Sequence, residues 1–229
     1  MKRDSFAKNY RLARLGRCFF VSFGLIKCRS MNHPSSPSPF ISLYHLILAS
    51  HSPRRKELLS GIDLHYEIRT LPDIDESFPE TLPHKEVAAY LARKKASVYL
   101  PELKENELLI TADTIVLLDG MILGKPDNYL EAREMLSMLS GRTHRVITGV
   151  CFTATHKQTC FSDTAYVTFG ALSAQEIDYY ISHYTPLDKA GAYGVQEWIG
   201  YVAVEKIEGS YFNVMGLPIF KVYQELKRF

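Results

Sequence analysis

Leu43-Tyr44-His45-Leu46-Ile47-Leu48-Ala49-Ser50-His51-Ser52-Pro53-Arg54-Arg55-Lys56-Glu57-Leu58-Leu59 is the stretch whose reading decides the fold class. Leu43 to Ala49 is an apolar run of strand length, and Ser50 to Pro53 interrupts it with turn chemistry. Ser52 suits the N-cap of a helix. Pro53 suits its first position, where the missing N–H has no intrahelical partner to lose. The helix should run through Leu59 and stop at Gly61. A strand that hands over directly to a helix is half of an α/β unit.

Working outward, Tyr66 to Thr70 reads as a second strand. His84 to Leu100 reads as a helix, with Val87, Leu91 and Val98 at helical spacing. Leu108 to Leu118 is one long strand or a strand pair, interrupted by Thr111-Ala112-Asp113-Thr114. Asp119-Gly120 then makes a hairpin turn, and Met121 to Leu123 returns. Asp127 to Leu139 is a helix capped by Asp127 or Asn128 and stopped by Gly141. Thr143 to Thr155 and Thr159 to Phe169 flank the polar turn His156-Lys157-Gln158 as a long hairpin. Ser173 and Glu176 form a capping box. Pro186 to Gly200 should be a loop, Tyr201 to Ile207 a strand, and Leu217 to Lys227 a terminal helix. Hairpins beside strand-helix units predict an α/β fold on a mixed sheet, not a purely doubly wound one.

The chain has 229 residues, 46% of them hydrophobic, enough for the core of one large domain or two small ones. The net charge of +2 is unevenly divided. Residues 1–30 hold eight cations against one anion, Asp4, so residues 31–229 carry a net −5. An acidic body has no general affinity for nucleic acid, so any anion it binds must be held by a few placed cations. Residues 1–42, with the Pro/Ser-rich stretch Asn32 to Pro39, read as a basic extension. It is either a disordered arm or an over-extended start before Met31, with a targeting segment as the alternative. Residues 43–229 read as the domain. No run approaches the roughly 20 apolar residues of a membrane span. Cys18, Cys28, Cys151 and Cys160 contain no CxxC and are read as reduced thiols of a cytoplasmic protein.

Four places could carry chemistry. A helix beginning at Ser52 offers free N–H groups and partial positive charge, a ready phosphate site, and Arg54 and Arg55 add donors in its first turn. Both arginines could equally be solvated surface charges. Asp113 interrupts an apolar strand, where a carboxylate is costly unless paired; it could hold Mg²⁺ or activate water, or be a turn aspartate bonded to its own backbone. Lys125 follows the Asp119-Gly120 hairpin, which returns it toward Asp113; an ordinary surface lysine is the alternative. In Asp188-Lys189-Ala190-Gly191-Ala192-Tyr193-Gly194-Val195-Gln196, small residues permit close backbone approach to a ligand and Gln196 can both donate and accept, whereas a tight turn needs no ligand. The histidines form no HxxxH cluster, and GxxxxGK[ST] and GxSxG are absent, which excludes zinc-protease, P-loop and α/β-hydrolase readings.

In this order and spacing, several segments together resemble the Maf family, from Leu46 to about Leu226. They are Leu48 to Leu59, Asp75-Glu76, Leu91 to Ala96, Thr111 to Thr114, Gly124-Lys125-Pro126, Leu139 to His144, Thr148-Gly149-Val150, Asp188 to Gly194 and Gly209-Ser210-Tyr211. The resemblance implies a fold like that of inosine triphosphate pyrophosphatases: an elongated mixed sheet with flanking helices in two lobes around a cleft. It implies hydrolysis of a nucleoside triphosphate to the monophosphate and pyrophosphate with a divalent cation, Mg²⁺ or Mn²⁺, and Asp113 as proton acceptor and metal ligand. Arg54, Thr114 and Gln196 match positions tied to substrate choice. The Thr after the Asp and the late Gln are those of the branch resembling dTTP/UTP pyrophosphatases, with modified pyrimidine nucleotides and a house-cleaning role in its scope. Ser52, Arg55, Glu76, Lys95 and Lys125 match further positions lining the cleft. His51 departs from the family, where small residues are more usual. The alternatives are a 7-methyl-GTP pyrophosphatase and a non-catalytic nucleotide-binding regulator of septum formation. The implied partner is the nucleotide alone, without nucleic acid or membrane, and a homodimer is the assembly it admits.

Overall fold

In the computed structural model the described residues are 44–229. The expected extension, Leu43, Cys18 and Cys28 lie outside them. The strand-to-helix opening is β1 (His45–Leu48) followed by α1 (Pro53–Ser60), with Ser52 at the N-cap position and Gly61 at the stop. β2 (Tyr66–Ile68) lies parallel to β1. α2 (His84–Tyr99) then crosses to β3 (Glu107–Leu118), which is a single long strand parallel to β1 on its other side. At the hairpin to β4 (Met121–Leu123), Asp119 and Gly120 both take positive φ, the backbone that a tight two-residue turn requires. α3 (Tyr129–Leu139) is capped by the Asn128 side chain, which accepts from the Glu131 N–H. β5 (Thr143–Thr153) and β6 (Gln158–Phe169) form the long hairpin, antiparallel to β3 and to each other. α4 (Ala174–Tyr184) begins with the expected Ser173–Glu176 capping box. The chain closes with α5 (Trp198–Ala203), β7 (Val204–Glu208), α6 (Tyr211–Val214) and α7 (Ile219–Leu226). The sheet order is β2-β1-β3-β5-β6-β7, with β4 against β3, so the fold is α/β on a mixed sheet. Residues 44–229 do not divide into separate packing units; the two sides of the cleft share this one sheet.

Three expectations are corrected. Tyr201 to Ala203 belongs to a helix, not a strand, and β7 starts only at Val204. Ile199 and Ala203 are buried four residues apart while Tyr201 and Val202 face solvent, which is helical spacing despite the β-prone composition. Val98 is exposed at 46%; the inner face of α2 is carried instead by Val87, Ala88, Leu91, Ala92, Ala96 and Tyr99. Cys151 and Cys160 are not free thiols. The β5–β6 register sets them directly opposite each other and they form a disulfide, a pairing across a hairpin that a search for CxxC does not reveal.

The sheet is covered on both faces. α2 lies on one, over Ile47, Leu109, Ile115 and Ile147. It approaches so closely because Gly149 has no side chain: a Cβ there would stand 2.3 Å from the Ala88 backbone. The Thr111 hydroxyl adds a bond to the Ala92 carbonyl at 2.7 Å. The opposite face carries the larger core, in which Leu59, Leu136, Tyr180 and Val222 of the surrounding helices pack on Leu48, Ile110 and Phe152. Side chains alternate along a strand, so odd residues of β3 face α2 and even ones face this larger core. Among the described residues no helix is long and apolar enough to cross a membrane.

Candidate active site

β1 stops at Leu48, opposite Ile110, and β4 begins its pairing at Val116. Between them β3 has an open edge from Thr111 to Ile115. The Ile110 carbonyl accepts from Ala49 N–H at 2.9 Å and the Ala112 carbonyl accepts from Arg55, so residues of this parity turn their backbone groups to the open edge. A cleft of about 600 Å³ lies there, outside the carboxyl end of β1, and is large enough for a nucleotide. Ser52, Arg54, Arg55, Glu76, Lys95, Asp113, Thr114, Lys125 and Gln196 all line it.

Asp113 is on the odd face, beneath α2, and only 9% exposed. Its Oδ1 receives Lys95 Nζ at 2.6 Å. The same ammonium meets Glu76 Oε1 at 2.7 Å, and Glu76 Oε2 meets Lys125 Nζ at 3.2 Å. Asp113, Lys95, Glu76 and Lys125 thus alternate in sign along the cleft wall. This pairing offsets the cost of sinking a carboxylate into a strand. Burial pushes the Glu76 carboxyl up, but its two lysine partners outweigh this and hold it below the usual range. Lys125 reaches Asp113 only through Glu76 and Lys95.

The two arginines differ. Arg54 extends into the cleft, and its Nη1 lies 3.5 Å from Asp188 Oδ2. Arg55 turns inward: Nε donates to the Gly216 carbonyl at 2.8 Å, Nη1 to the Ala112 carbonyl at 2.9 Å, and Nη2 to Thr114 Oγ1 at 3.1 Å. Burial draws its pKa below the ordinary arginine value, with the Asp113 charge acting in the opposite direction. Gly216 presents its carbonyl to this guanidinium from φ 108°, a backbone conformation that residues with a side chain rarely adopt.

Gln196 sits on the loop after α4, and its amide oxygen is buried with no donor from the protein. The loop is braced from behind. Lys189, 7% exposed, bonds Asp188 at 2.6 Å and meets Glu197 at 3.2 Å; the Tyr180 hydroxyl donates to Glu197 and accepts the Gly194 N–H at 3.0 Å. Sequence reasoning marked the ligand-facing side of this loop but passed over Asp188, Lys189, Glu197 and Tyr180 as its supports. The Asp-Lys pair was the available signal. Asp113 and Glu76 bring carboxylate oxygens, the donor type Mg²⁺ and Mn²⁺ take, to the cleft wall, where both are paired with the Lys95 ammonium. Among the described residues no group of three or more His, Cys, Asp or Glu could cage a metal unaided.

A family model described as Maf-like protein matches residues 45–229. The chain belongs to the Maf family. Relatives within it include "dTTP/UTP pyrophosphatase" of Phocaeicola vulgatus, 57% identical over 185 residues, covering 81% of this chain and 96% of that one. The protein of the same name from Porphyromonas gingivalis is 53% identical over 188 residues, covering 81% and 94%. That of Flavobacterium psychrophilum is 51% identical over 178 residues, covering 78% and 91%. A crystal structure described as nucleoside-triphosphatase / dITP/XTP pyrophosphatase from Mycobacterium abscessus overlaps 56% of this chain and 75% of that one at 15% identity and TM-score 0.35, too slight a likeness to argue from. The Maf match begins at His45, the first residue of β1, and therefore includes every residue of the cleft.

Proposed function

We propose that this Maf chain hydrolyses dTTP and UTP to the monophosphate and pyrophosphate. The observation that carries the reading is the buried carboxylate of Asp113 on an open strand edge, inside a nucleotide-sized cleft and flanked by exchangeable cations. The substrates are those named for relatives more than 50% identical over most of the chain.

In this mechanism water attacks the α-phosphorus, the bond to the α–β bridging oxygen breaks, and Asp113 takes the water's proton. Arg54, Lys125 and the first turn of α1 hold triphosphate oxygens. Lys95, now paired with Asp113 and Glu76, can turn one of its donors to the phosphates as they arrive. Asp113 and Glu76 would hold Mg²⁺ or Mn²⁺, which supplies charge neutralisation and polarises phosphoryl oxygen. Arg55 holds Ala112 and Thr114, the neighbours of Asp113, in place. Thr114 and Gln196 face the nucleoside and select its base. We place the enzyme in the cytoplasm with its substrates; the Cys151–Cys160 disulfide bears against a reducing compartment, and alkylation of thiols at lysis followed by mass measurement decides between them.

The test is pyrophosphate release by purified protein across the NTPs, dNTPs and 7-methyl-GTP, with Mg²⁺ and with EDTA. Release from dTTP and UTP that EDTA abolishes is expected. A clear preference for 7-methyl-GTP overturns the substrate assignment, and nucleotide binding without release favours the regulatory alternative.

A further inference from the structure

Behind the cleft a chain of hydrogen bonds joins four elements. Arg55 Nη2 lies 3.1 Å from Thr114 Oγ1, Thr114 Oγ1 lies 3.0 Å from Thr148 Oγ1, and Thr148 Oγ1 lies 3.0 Å from the Asn213 carbonyl oxygen. The direction of every bond is forced. A guanidinium can only donate and a carbonyl can only accept. Thr148 therefore spends its single proton on Asn213, so Thr114 must spend its own on Thr148 while accepting from Arg55. The far end is anchored: Asn213 is fully buried, its Nδ2 donates to the Val146 carbonyl at 2.9 Å, and its N–H bonds Ser210 Oγ at 3.3 Å. Thr148 is itself completely buried and touches no cleft space.

Thr114 does line the cleft. With its proton directed inward, it presents only a lone pair to a ligand. Phosphate oxygens at neutral pH are acceptors, so Thr114 has nothing to offer them; it matches a hydrogen-bond donor of the nucleotide. Gln196 also lines the cleft, and its amide oxygen is buried beside it with no donor from the protein. The donors that uridine and thymidine share are the base N3–H and the sugar 3′-hydroxyl. Only the first distinguishes them from cytidine, whose N3 is an acceptor. We propose that Thr148 is a positioning residue for base selection: it fixes the Thr114 hydroxyl as an acceptor for the N3–H of a 2,4-dioxo pyrimidine and thereby disfavours cytosine. This rests on the pyrimidine triphosphate reading above.

The test measures binding, so that it is separate from turnover. Dissociation constants are determined calorimetrically for the non-hydrolysable α,β-imido analogues of UTP and CTP, with wild type, Thr148→Val and Thr148→Ser, and melting curves report folding. The wild type should prefer the uridine analogue. In Thr148→Val the Thr114 proton is released to rotate into the cleft and donate to cytosine N3, so the uridine/cytidine preference should fall at least about tenfold, while Thr148→Ser keeps it. Weakening of both analogues by the same factor, with the ratio unchanged, overturns the proposal, because that is what a merely structural role gives. A second measurement does not depend on Thr148→Val folding. The N3-methyl uridine analogue should bind at least about tenfold more weakly than the uridine analogue to wild type, and that penalty should largely vanish in Thr114→Val. An equal penalty in both proteins overturns the proposal, as does a Thr114-dependent penalty that appears with the 3′-deoxy analogue instead. Absence of pyrophosphate release from UTP would overturn the proposed activity and leave these binding ratios to decide the role of Thr148.

Discussion

Asp113 and Thr114 are neighbours on β3, yet they face opposite sides of the sheet and live under different rules. On the odd face a chain of charges, Asp113–Lys95–Glu76–Lys125, runs out toward solvent, from a Lys95 side chain 14% exposed to a Lys125 side chain 55% exposed. On the even face a chain of hydrogen bonds from Arg55 through Thr114 and Thr148 ends on a buried carbonyl. The charged chain has members that can change partners when an anion arrives. The other chain has every proton committed within the protein and meets the cleft only as a fixed acceptor at Thr114. Adjacent residues thus divide the work: one side reacts, the other measures.

The sharpest way to break this comparison is to remove one member from each side. Asp113→Asn should lower kcat for pyrophosphate release by at least about 10²–10³-fold while leaving the melting temperature within a few degrees. An unchanged kcat removes Asp113 from the chemistry. Arg55→Ala should damage both quantities, since it strands the Ala112 and Gly216 carbonyls; a stability loss of about 2–4 kcal/mol in urea titrations is expected along with lost turnover. Arg54→Ala should change stability by less than about 0.5 kcal/mol but raise KM for UTP on the order of tenfold. If the two arginine variants behave alike, the distinction between an outward and an inward arginine is wrong.

Gly149→Ala probes the seat of the charged face. The added methyl meets the Ala88 backbone, so α2 must lift. A loss of about 1–3 kcal/mol is expected, together with a lower kcat as Lys95 moves away from Asp113. Full stability in this variant would show that the helix can ride up freely.

Acid should touch the even face first. His144 is buried there, bonded to the Tyr193 hydroxyl at 2.8 Å, and burial pushes its pKa down to about 4. The unfolded chain binds a proton near the ordinary value of about 6.5 while the folded one resists. The neutral histidine therefore contributes stability above about 6.5, and this is lost as pH falls toward 4, by at most about 3 kcal/mol. Glu76 and Asp188 are held below the usual carboxylate range by their basic partners and lose their contribution only at lower pH. Urea titrations between pH 7.5 and 4 should show a slope that His144→Gln flattens; an unaltered slope would assign the acid sensitivity elsewhere.

The strands, the capped helices and the charged residues of the cleft were readable because each leaves a mark of its own: an apolar run, a Ser-x-x-Glu, an arginine in a first turn, an aspartate inside a strand. What escaped reading lacks such a mark. Thr148 and Asn213 are neutral and fully buried, and nothing in their sequence neighbourhood says that they meet. The Cys151–Cys160 pair depends on hairpin register, which is a property of two strands together. The helical turn at Tyr201 is set by tertiary burial of Ile199 and Ala203, which overrides a β-prone composition. Arg55 was recognised as a cleft residue, but its inward direction is decided by carbonyls 57 and 161 positions away in sequence.

Ala88, Ala92 and Ala96 form a row of small buried residues spaced by four along α2, with Ala88 seated over the bare backbone of Gly149 and Ala92 and Ala96 packed with Ile47 and Leu109. Such a row fixes the rotational phase of the helix as a keyway fixes a shaft. Lys95 points at Asp113 only in that phase. Deleting or inserting one residue between Ala88 and Lys95 would turn the lysine by about 100°, aiming it away from the cleft even if every remaining contact reformed. Length changes in the approach from residues 77 to 83, ahead of the helix, would leave that phase untouched. Related chains should therefore vary freely in the length of the approach and not at all in the count of residues from Ala88 to Lys95.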